Sequence, residues 1–327
     1  MSFVLWSIRR SVTFAALTLA LAALLASQAP AAKPGGGGGT ATGKIFFSSG
    51  GTLFSMNADG SNKQPAEAYG GPSPTLYGGH RWFVERRYSE ASLFREYWLV
   101  REDGVEHQLA IDADLDLLYL NWGPEGTLVG TGRRWVVDGT VDPESCGLYL
   151  AVVAFDADGN LVDYVPPVQF GHVGLDVEQS TGEPITAARA IACSPDLGRV
   201  VYDHWDSGEL WMLDVPTGET WQVATYGRNP DWSPDGALIA FAGSYGIETI
   251  RPDGTGQKLI TRVKSHQYVM EPHFSPGSSH IVYTVGTYLG YPGDDQWEIY
   301  SVTASGSGKT SLTGDISTSA GAWDWTE

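Results

Sequence analysis

The sequence is poor in basic residues, in cysteine and in long apolar runs, and each shortage narrows the possible classes of protein. Lysine and arginine total 20 against 38 acidic residues, and a net charge of −18 repels a phosphate backbone, so we expect no nucleic-acid partner. Two cysteines allow one disulfide at most. Beyond residue 32 no apolar run approaches the roughly 20 residues of a membrane span. The 12% aromatic and 18% charged content excludes a disordered chain.

The amino-terminal segment reads as a cleaved secretory signal peptide over residues 1–32. Arg9 and Arg10 form its basic start, Val12–Leu25 is its apolar run, and Ala29–Ala31 fits a small-residue cleavage site. A retained membrane anchor is the weaker alternative because the run is short. No cysteine lies at the cleavage site, so we expect no lipid attachment. The glycine-rich residues 33–42 are predicted to be a flexible spacer, and the chain is predicted to be periplasmic or secreted.

The rest of the chain repeats a strand, a Pro-containing tight turn and a second strand. The repeated prolines stand at 124, 195, 234 and 276, and the last two steps are 39 and 42 residues. A period near 40 residues, with four short strands in each unit, is typical of a β-propeller. The copies are Asn121-Trp-Gly-Pro-Glu-Gly126, Ala192-Cys-Ser-Pro-Asp196, Asp231-Trp-Ser-Pro-Asp-Gly236 and His273-Phe-Ser-Pro-Gly277.

Residues 43–327 are therefore predicted to be a single all-β domain, a six-bladed β-propeller. The sixth blade is assembled from both ends of the chain. Lys44–Ser48 and Thr52–Met56 read as second and third strands, and Ala322–Trp325 reads as the missing first strand, which closes the ring and removes its open edges. The five complete units are 69–110, 117–165, 190–225, 229–261 and 270–313.

The run Pro230–Gly236, followed by the strand Ala237–Phe241 and the turn Pro252–Gly254, resembles the repeat of TolB-type six-bladed propellers. The resemblance covers nearly all of the predicted domain and is most specific at 190–314. TolB itself carries an α/β domain before its propeller, whereas only the signal and the spacer precede the ring here. The resemblance implies a periplasmic or secreted module that binds other proteins and performs no chemistry of its own.

The two cysteines are predicted to remain unpaired although an oxidising compartment favours a disulfide. Cys193 ends a first strand, and Cys146 begins a third strand that we expect on the opposite side of the ring. Bridged cysteines need Cα atoms within about 7 Å.

The connections between strands differ between the two faces of the predicted ring. Segments that join second to third strands, and fourth strands to the next blade, share what we call the long-loop face; the other turns form the short-turn face. The long insertions all fall on the long-loop face, where binding usually lies. They are 89–96, 133–145, 166–186 and 286–295. The predicted partner-binding residues are Phe94, Arg95, Trp135, Phe170, His172, His266, Tyr288 and Tyr291.

Signals for catalysis, cofactors or metals are weak, and none of these is predicted. Residues 303–310 approach a P-loop, but Thr303 replaces the first glycine and no helix follows. Asp112, Asp114 and Asp116 are spaced like a calcium loop that lacks its glycine and its bidentate glutamate. Histidines from different blades could converge on a metal, but none is paired in sequence at ligand spacing. The repeated aromatic residues Trp122, Trp232, Phe274 and Trp325 are expected to pack between blades.

The sequence thus favours a non-enzymatic propeller that binds a protein or peptide of the cell envelope through its long-loop face. The alternative is a carbohydrate-active hydrolase or lyase with acidic residues at the channel mouth. The two differ in whether carboxylates or histidines of at least three blades meet at one point.

Overall fold

The computed structural model describes most of the predicted domain. Its regular secondary structure consists of β-strands. The described ranges contain 26 strands and no α-helix. The predicted signal peptide and nearly all of the spacer lie outside the described residues. Those residues are 42–49, 52–66, 75–77, 80–88, 95–123, 126–135, 141–172, 175–177, 184–186, 188–204, 207–290, 295–314 and 321–326.

The strands follow one another with short connections. In chain order they are β1 (Lys44–Ser49), β2 (Thr52–Asn57), β3 (Gln64–Pro65), β4 (Thr75–Tyr77), β5 (His80–Tyr88), β6 (Arg95–Arg101), β7 (Glu106–Gln108), β8 (Leu115–Trp122), β9 (Thr127–Trp135), β10 (Val141–Phe155), β11 (Leu161–His172), β12 (Leu175–Val177), β13 (Pro184–Thr186), β14 (Ala188–Cys193), β15 (Arg199–His204), β16 (Leu210–Asp214), β17 (Thr220–Ala224), β18 (Arg228–Trp232), β19 (Ile239–Gly243), β20 (Gly246–Ile250), β21 (Lys258–Leu259), β22 (Gln267–Phe274), β23 (His280–Thr287), β24 (Gln296–Thr303), β25 (Thr310–Ser311) and β26 (Gly321–Thr326).

These strands form six four-stranded antiparallel sheets, which are the blades of a propeller, and one small hairpin. Blade 1 has the order β26-β1-β2-β3, and blade 2 contains β4 to β7. Blade 3 contains β8 to β11, blade 4 β14 to β17, blade 5 β18 to β21 and blade 6 β22 to β25. The hairpin of β12 and β13 lies between blades 3 and 4 in the chain. The six-bladed all-β fold is therefore confirmed.

The predicted closing blade is also confirmed by strand pairing. Strand β26 pairs with β1 in antiparallel register, with Lys44 opposite Thr326 and Ile45 opposite Trp325. The pairing supplies an inner partner for β1, whose other edge pairs with β2. The first and last described strands therefore belong to one sheet, and neither side of β1 is left as an open edge.

A hydrophobic cluster fills each of the six junctions between neighbouring blades. The junction of blades 2 and 3 is the largest, and includes the fully buried Trp82 and Tyr149. Blades 3 and 4 meet around Leu148 and Val200, and blade 6 meets blade 1 where Val282 packs against Ile45. Clusters of the same kind join blades 4 and 5, blades 5 and 6, and blades 1 and 2. An unbroken circuit of apolar contacts is the property that defines a closed ring.

The repeated turn motif explains why the blades form where the sequence places them. In blade 5 the Ser233 hydroxyl donates to the Asp235 carboxylate at 2.7 Å and accepts from the backbone N–H of Leu238 at 2.9 Å. Gly236 follows with a φ of +72°, in the left-handed region that favours glycine. The motif therefore satisfies its own polar groups and fixes the angle between the first two strands.

The aromatic residue that precedes this turn packs between blades, as predicted. Trp232 of blade 5 lies in the cluster shared with blade 4, and its indole N–H donates to the carbonyl of Ala192 there at 3.1 Å. Phe274 of blade 6 is buried in the cluster shared with blade 5. Its backbone N–H donates to Asp231 of blade 5 at 2.8 Å. Packing and hydrogen bonding thus act together at each of these junctions.

Two expectations about the chain path are wrong. Two segments predicted as long loops, 133–145 and 166–186, are mostly strand. Strands β9, β10 and β11 extend into them, and β12 pairs with β13. Insertions on neighbouring strands pair with each other because unpaired backbone groups are costly. The expected placement of Cys146 opposite Cys193 is also wrong, since they lie on consecutive blades 3 and 4.

Both cysteines are free thiols. Burial raises the pKa of Cys146 to about 11, and burial likewise raises the pKa of Cys193. A thiol that holds its proton at neutral pH is a poor nucleophile, so both residues act as packing groups in this fold.

Candidate partner-binding face

The short-turn face uses its polar side chains to hold its own turns. In blade 5 the Asp253 carboxylate accepts from the hydroxyl of Thr255 at 2.7 Å and from its backbone N–H at 2.9 Å. These hydrogen bonds keep the pKa of Asp253 below its usual 3.8. The same arrangement recurs in other turns of this face, so their carboxylates already have partners. The aspartates concerned are Asp59, Asp103, Asp156, Asp196, Asp214, Asp235 and Asp253.

The long-loop face instead exposes large apolar side chains. Five large hydrophobic residues are exposed among the described residues, and four lie on this face. They are Tyr226 (39% exposed), Tyr245 (63%), Tyr288 (50%) and Leu289 (52%). The fifth, Val162, is on the outer strand β11. Exposed aromatic residues gathered on one face of a rigid scaffold are typical of a binding surface.

The structure brings together two of the predicted site residues, His266 and Tyr288. The backbone N–H of Tyr288 donates to the carbonyl of His266 at 2.9 Å, and both side chains are exposed. His266 precedes the first strand of blade 6, and Tyr288 follows its second strand. This hydrogen bond therefore joins two separate connections of the long-loop face.

Arg95 lies in a different region, in an ion-pair network between blades 2 and 3. Its Nη1 lies 2.7 Å from Oδ1 of Asp116, which is 4% exposed, and Nε of Arg133 lies 3.3 Å from Oδ2 of the same carboxylate. Trp135, also predicted, packs nearby with the Arg133 guanidinium 4.9 Å from its ring centre. A cavity of about 320 Å³ adjoins this network and is lined in part by Arg95 and Asp112.

This network also accounts for the calcium-like spacing of three aspartates. Arg134 binds Asp114 at 2.7 Å and Asp112 at 2.8 Å, and the third carboxylate, Asp116, is shared by two other arginines. Each carboxylate that a calcium ion would need is therefore already neutralised by a guanidinium group. No group of three acidic, histidine or cysteine residues that could hold a metal is found in the described ranges.

Four predicted residues remain: two lie in described strands, and two lie outside the described residues. Phe170 is half-buried and packs against the cluster between blades 3 and 4. The backbone of His172 pairs with Gly147 in blade 3. Phe94 and Tyr291 lie outside the described residues. The binding roles of all four stay predictions.

The arginines of blades 5 and 6 on this face differ from those of blades 2 and 3. The guanidinium of Arg228 lies 6.0 Å from the ring centre of Tyr226, and that of Arg262 lies 5.4 Å from the ring centre of Tyr245. Within the described residues neither arginine, nor the exposed Lys264, forms an ion pair with a carboxylate. Within the described part of the chain, no carboxylate neutralises these three charges.

Backbone hydrogen bonds hold these connections in place. The N–H of Val263 donates to the carbonyl of Tyr245 at 3.0 Å, and the N–H of Gln267 donates to the carbonyl of Lys264 at 2.9 Å. Gly246 has a φ of +153°, and a Cβ at this position would overlap the carbonyl oxygen of Thr261. The glycine thus permits the close approach that orders the face before any partner arrives.

The channel side of blades 5 and 6 carries a second group of polar residues. Asp231 and His273 are on neighbouring first strands, and Oδ1 of Asp231 lies 3.9 Å from Nδ1 of His273. Glu271 on β22 has a covered Oε2 without a hydrogen-bond partner among the described residues, and burial raises its pKa above the usual 4.5. These groups come from two blades, whereas the enzyme alternative requires at least three.

Tyr226, Tyr245, Arg228 and Arg262 were not predicted as site residues. They lie in short connections or at their edges, whereas every predicted site residue except His266 lies in one of the four long insertions. One usable signal existed. The connection Ser244-Tyr245 places a large aromatic between two apolar strands, where a tight turn usually has small or polar residues.

The closed circuit of four-stranded blades defines the chain as a six-bladed β-propeller. No family model matches the sequence, and no curated protein matches it. The fold is TolB-like. A protein provisionally named TolB from Agrobacterium tumefaciens is similar to this chain at 15% identity and a TM-score of 0.53, with 87% of this chain and 92% of that chain covered.

Other solved structures match with lower TM-scores. A protein provisionally named 6-phosphogluconolactonase from Bacteroides uniformis shares 13% identity, with a TM-score of 0.45 and coverage of 84% of this chain and 97% of that one. An oligogalacturonate lyase in complex with manganese shares 13% identity, with a TM-score of 0.35 and coverage of 74% and 73%. At 15% identity, the similarity to the Agrobacterium protein shows the fold alone. The described residues contain no helix with the length and apolar character needed to cross a membrane.

Proposed function

We propose that this chain is a secreted or periplasmic, non-enzymatic β-propeller that binds a protein or peptide of the cell envelope through its long-loop face. A signal peptide cleaved near residue 32, without lipid attachment, delivers it there. The observation that carries the proposal is the distribution of exposed hydrophobic side chains. Four of the five that the described residues expose lie on this one face.

The contrast between the two faces supports this role. A partner gains most from rigid aromatic and arginine anchors, and the long-loop face presents these on connections tied by their own hydrogen bonds. The short-turn face presents aspartates that already hold their turns. A partner would therefore gain little by docking on the short-turn face.

The test is capture of envelope proteins by the purified mature domain and its variants. Replacing Tyr245 and Tyr288 by serine should abolish capture of any specific partner, because each anchor contributes about 2 kcal/mol or more. The melting temperature should change little, since Tyr245 is 63% exposed and Tyr288 is 50% exposed. Val162→Ser removes an equally exposed apolar residue away from this face and should leave capture intact. Loss of capture in the Val162 variant alone would contradict the proposal.

One observation favours the second candidate, a carbohydrate-active hydrolase or lyase at the channel mouth. A carboxyl group whose pKa is raised by burial, like that of Glu271, is suited to hold a proton for general acid catalysis. The test is incubation with a panel of neutral and acidic polysaccharides, with measurement of reducing ends and of the ultraviolet absorbance of unsaturated products. Turnover that disappears in Glu271→Gln would favour the enzyme over the binding module.

A further inference from the structure

Blades 4 to 6 carry tyrosines and cations on neighbouring connections of the long-loop face. We call Tyr226, Arg228, Tyr245, Arg262, Lys264 and Tyr288 the tyrosine–cation patch. We propose that this patch binds an acidic peptide segment of the partner, with apolar or aromatic side chains of that segment seated against the tyrosines. The proposal rests on the proposed function and specifies the chemistry of the partner.

The members of the patch are joined by consecutive contacts. Arg228 pairs with Ala242 on β19, which leads directly into the connection that bears Tyr245. The carbonyl of Tyr245 accepts from Val263, between Arg262 and Lys264. The carbonyl of His266 then accepts from Tyr288. The patch therefore spans four connections, and backbone hydrogen bonds tie the last three of them to one another.

The patch brings three cations together in a chain whose net charge is −18. The arginines of blades 2 and 3 that carry ion pairs bind carboxylates of their own neighbourhood. Arg228, Arg262 and Lys264 have no carboxylate partner within the described residues. An acidic segment would be attracted to this patch and repelled by most other surfaces, which directs it to one place and one orientation.

The exposed tyrosines indicate that the bound segment carries apolar side chains as well as negative charge. Tyr245 and Tyr288 are 63% and 50% exposed, and a cation lies against the ring of Tyr245, which holds the guanidinium where a carboxylate can reach it. At Tyr226 the absent side chain of Gly208 leaves room, because a Cβ there would lie 3.2 Å from the tyrosine ring and 3.5 Å from Nη2 of Arg228. A segment with both carboxylates and apolar side chains fits this surface better than a purely acidic one.

The test measures binding of fluorescent synthetic polymers to the mature protein at low and moderate salt. A random copolymer of glutamate and tyrosine should bind, a glutamate homopolymer should bind more weakly, and a lysine–tyrosine copolymer should not bind. Single-stranded oligonucleotides are included because three cations could also attract phosphates. Oligonucleotide binding equal to that of the glutamate–tyrosine copolymer would overturn the assignment to an acidic peptide.

A pair of matched variants locates the binding. Arg262→Glu with Lys264→Glu should weaken binding of the glutamate–tyrosine copolymer by about tenfold or more, since it removes two of the available cations. Arg251→Glu with Lys258→Glu makes the same change in net charge in the strand-three-to-four segment of blade 5 and should leave binding within about twofold. Both pairs are exposed, so folding should be retained, and circular dichroism checks it. An equal loss in the two variants would show only general electrostatics and would overturn the proposal.

Envelope capture separates failure of this inference from failure of the proposed function. If the double tyrosine variant loses a captured partner but Arg262→Glu with Lys264→Glu retains it at full affinity, the function stands and the acidic-segment inference is wrong. If the copolymer binds at the patch and no envelope protein depends on Tyr245 or Tyr288, the patch chemistry stands and the proposed function is wrong.

Discussion

Glu271 occupies a position that is unfavourable for a glutamate in two independent ways. Its φ is +50°, in the left-handed region that few side chains adopt without cost. Its Oε2 is covered and lacks a hydrogen-bond partner within the described residues. Asn229 has a φ of +49° at the corresponding bulge of the preceding blade. Asparagine is one of the few side chains that tolerate this conformation, so the chain itself offers the replacement.

Glu271→Asn should therefore stabilise the protein at neutral pH. A covered polar group without a partner costs about 1–3 kcal/mol, and relief of the backbone preference adds a fraction of that. A net gain of about 2 kcal/mol corresponds to a rise of about 4 °C in melting temperature for a domain of this size. Thermal unfolding followed by circular dichroism measures it.

The gain should depend on pH with a definite sign. Burial raises the pKa of Glu271 in the folded state, so the folded wild type binds a proton more tightly than the unfolded chain does. The wild type therefore gains stability as the pH falls through the raised pKa and loses that contribution as the pH rises to neutral. The advantage of Glu271→Asn should be largest near neutral pH and should shrink as the pH approaches 4.5, the ordinary value for glutamate.

Glu271→Gln separates the two causes because it removes the charge and keeps the backbone cost. We expect it to recover part of the gain and to lose the same pH dependence. If Glu271→Asn melts at or below the wild-type temperature at neutral pH, with an unchanged pH profile, the carboxylate has a favourable role that the reasoning has missed.

Three further predictions concern closure, export and the ordered face. Deleting residues 321–327 removes the partner of β1 and uncovers the buried Ile45. Denaturant unfolding should then show the loss of most of a total stability of about 5–15 kcal/mol. A melting temperature within a degree or two of the full chain would contradict the closure. Mass spectrometry of the exported protein should find an amino terminus near Ala32 and no lipid, whereas an intact Met1 in a membrane fraction would refute cleavage. Gly246→Ala should destabilise by more than about 1 kcal/mol in the same unfolding assay, because its Cβ would overlap a backbone carbonyl, and an unchanged midpoint would show that the connection can move.

The fold was predictable because its determinants are local. The turn from Ser233 to Gly236 satisfies its own hydrogen bonds and recurs with the blade period, so a short window identifies each unit. The closing blade followed from counting strands at both ends. The extension of β10, in which Val141 pairs with Trp135 and Gly147 with His172, was missed because a long insertion has the same sequence character whether it forms strands or a loop.

The candidate site was only partly predictable. Tyr288 was predicted because it lies in the long insertion 286–295, and His266 because it lies in a loop of the same face. Tyr245 was missed because exposure is a property of the assembled ring and not of the residue type. That Arg262 has no ion pair among the described residues was equally hidden, since only the fold shows which arginines of this acidic chain have carboxylates within reach.

The shared blade 1 has a consequence for how the chain folds. The pairing of Lys44 with Thr326 joins residues at the two extremes of the described chain, so it is the contact of longest sequence separation and carries the largest loop-closure entropy. During synthesis the other five blades can assemble before β1 gains its last partner. Throughout that interval β1 offers a free hydrogen-bonding edge to any neighbouring chain. The arrival of β26 is thus the step at which correct folding competes with aggregation.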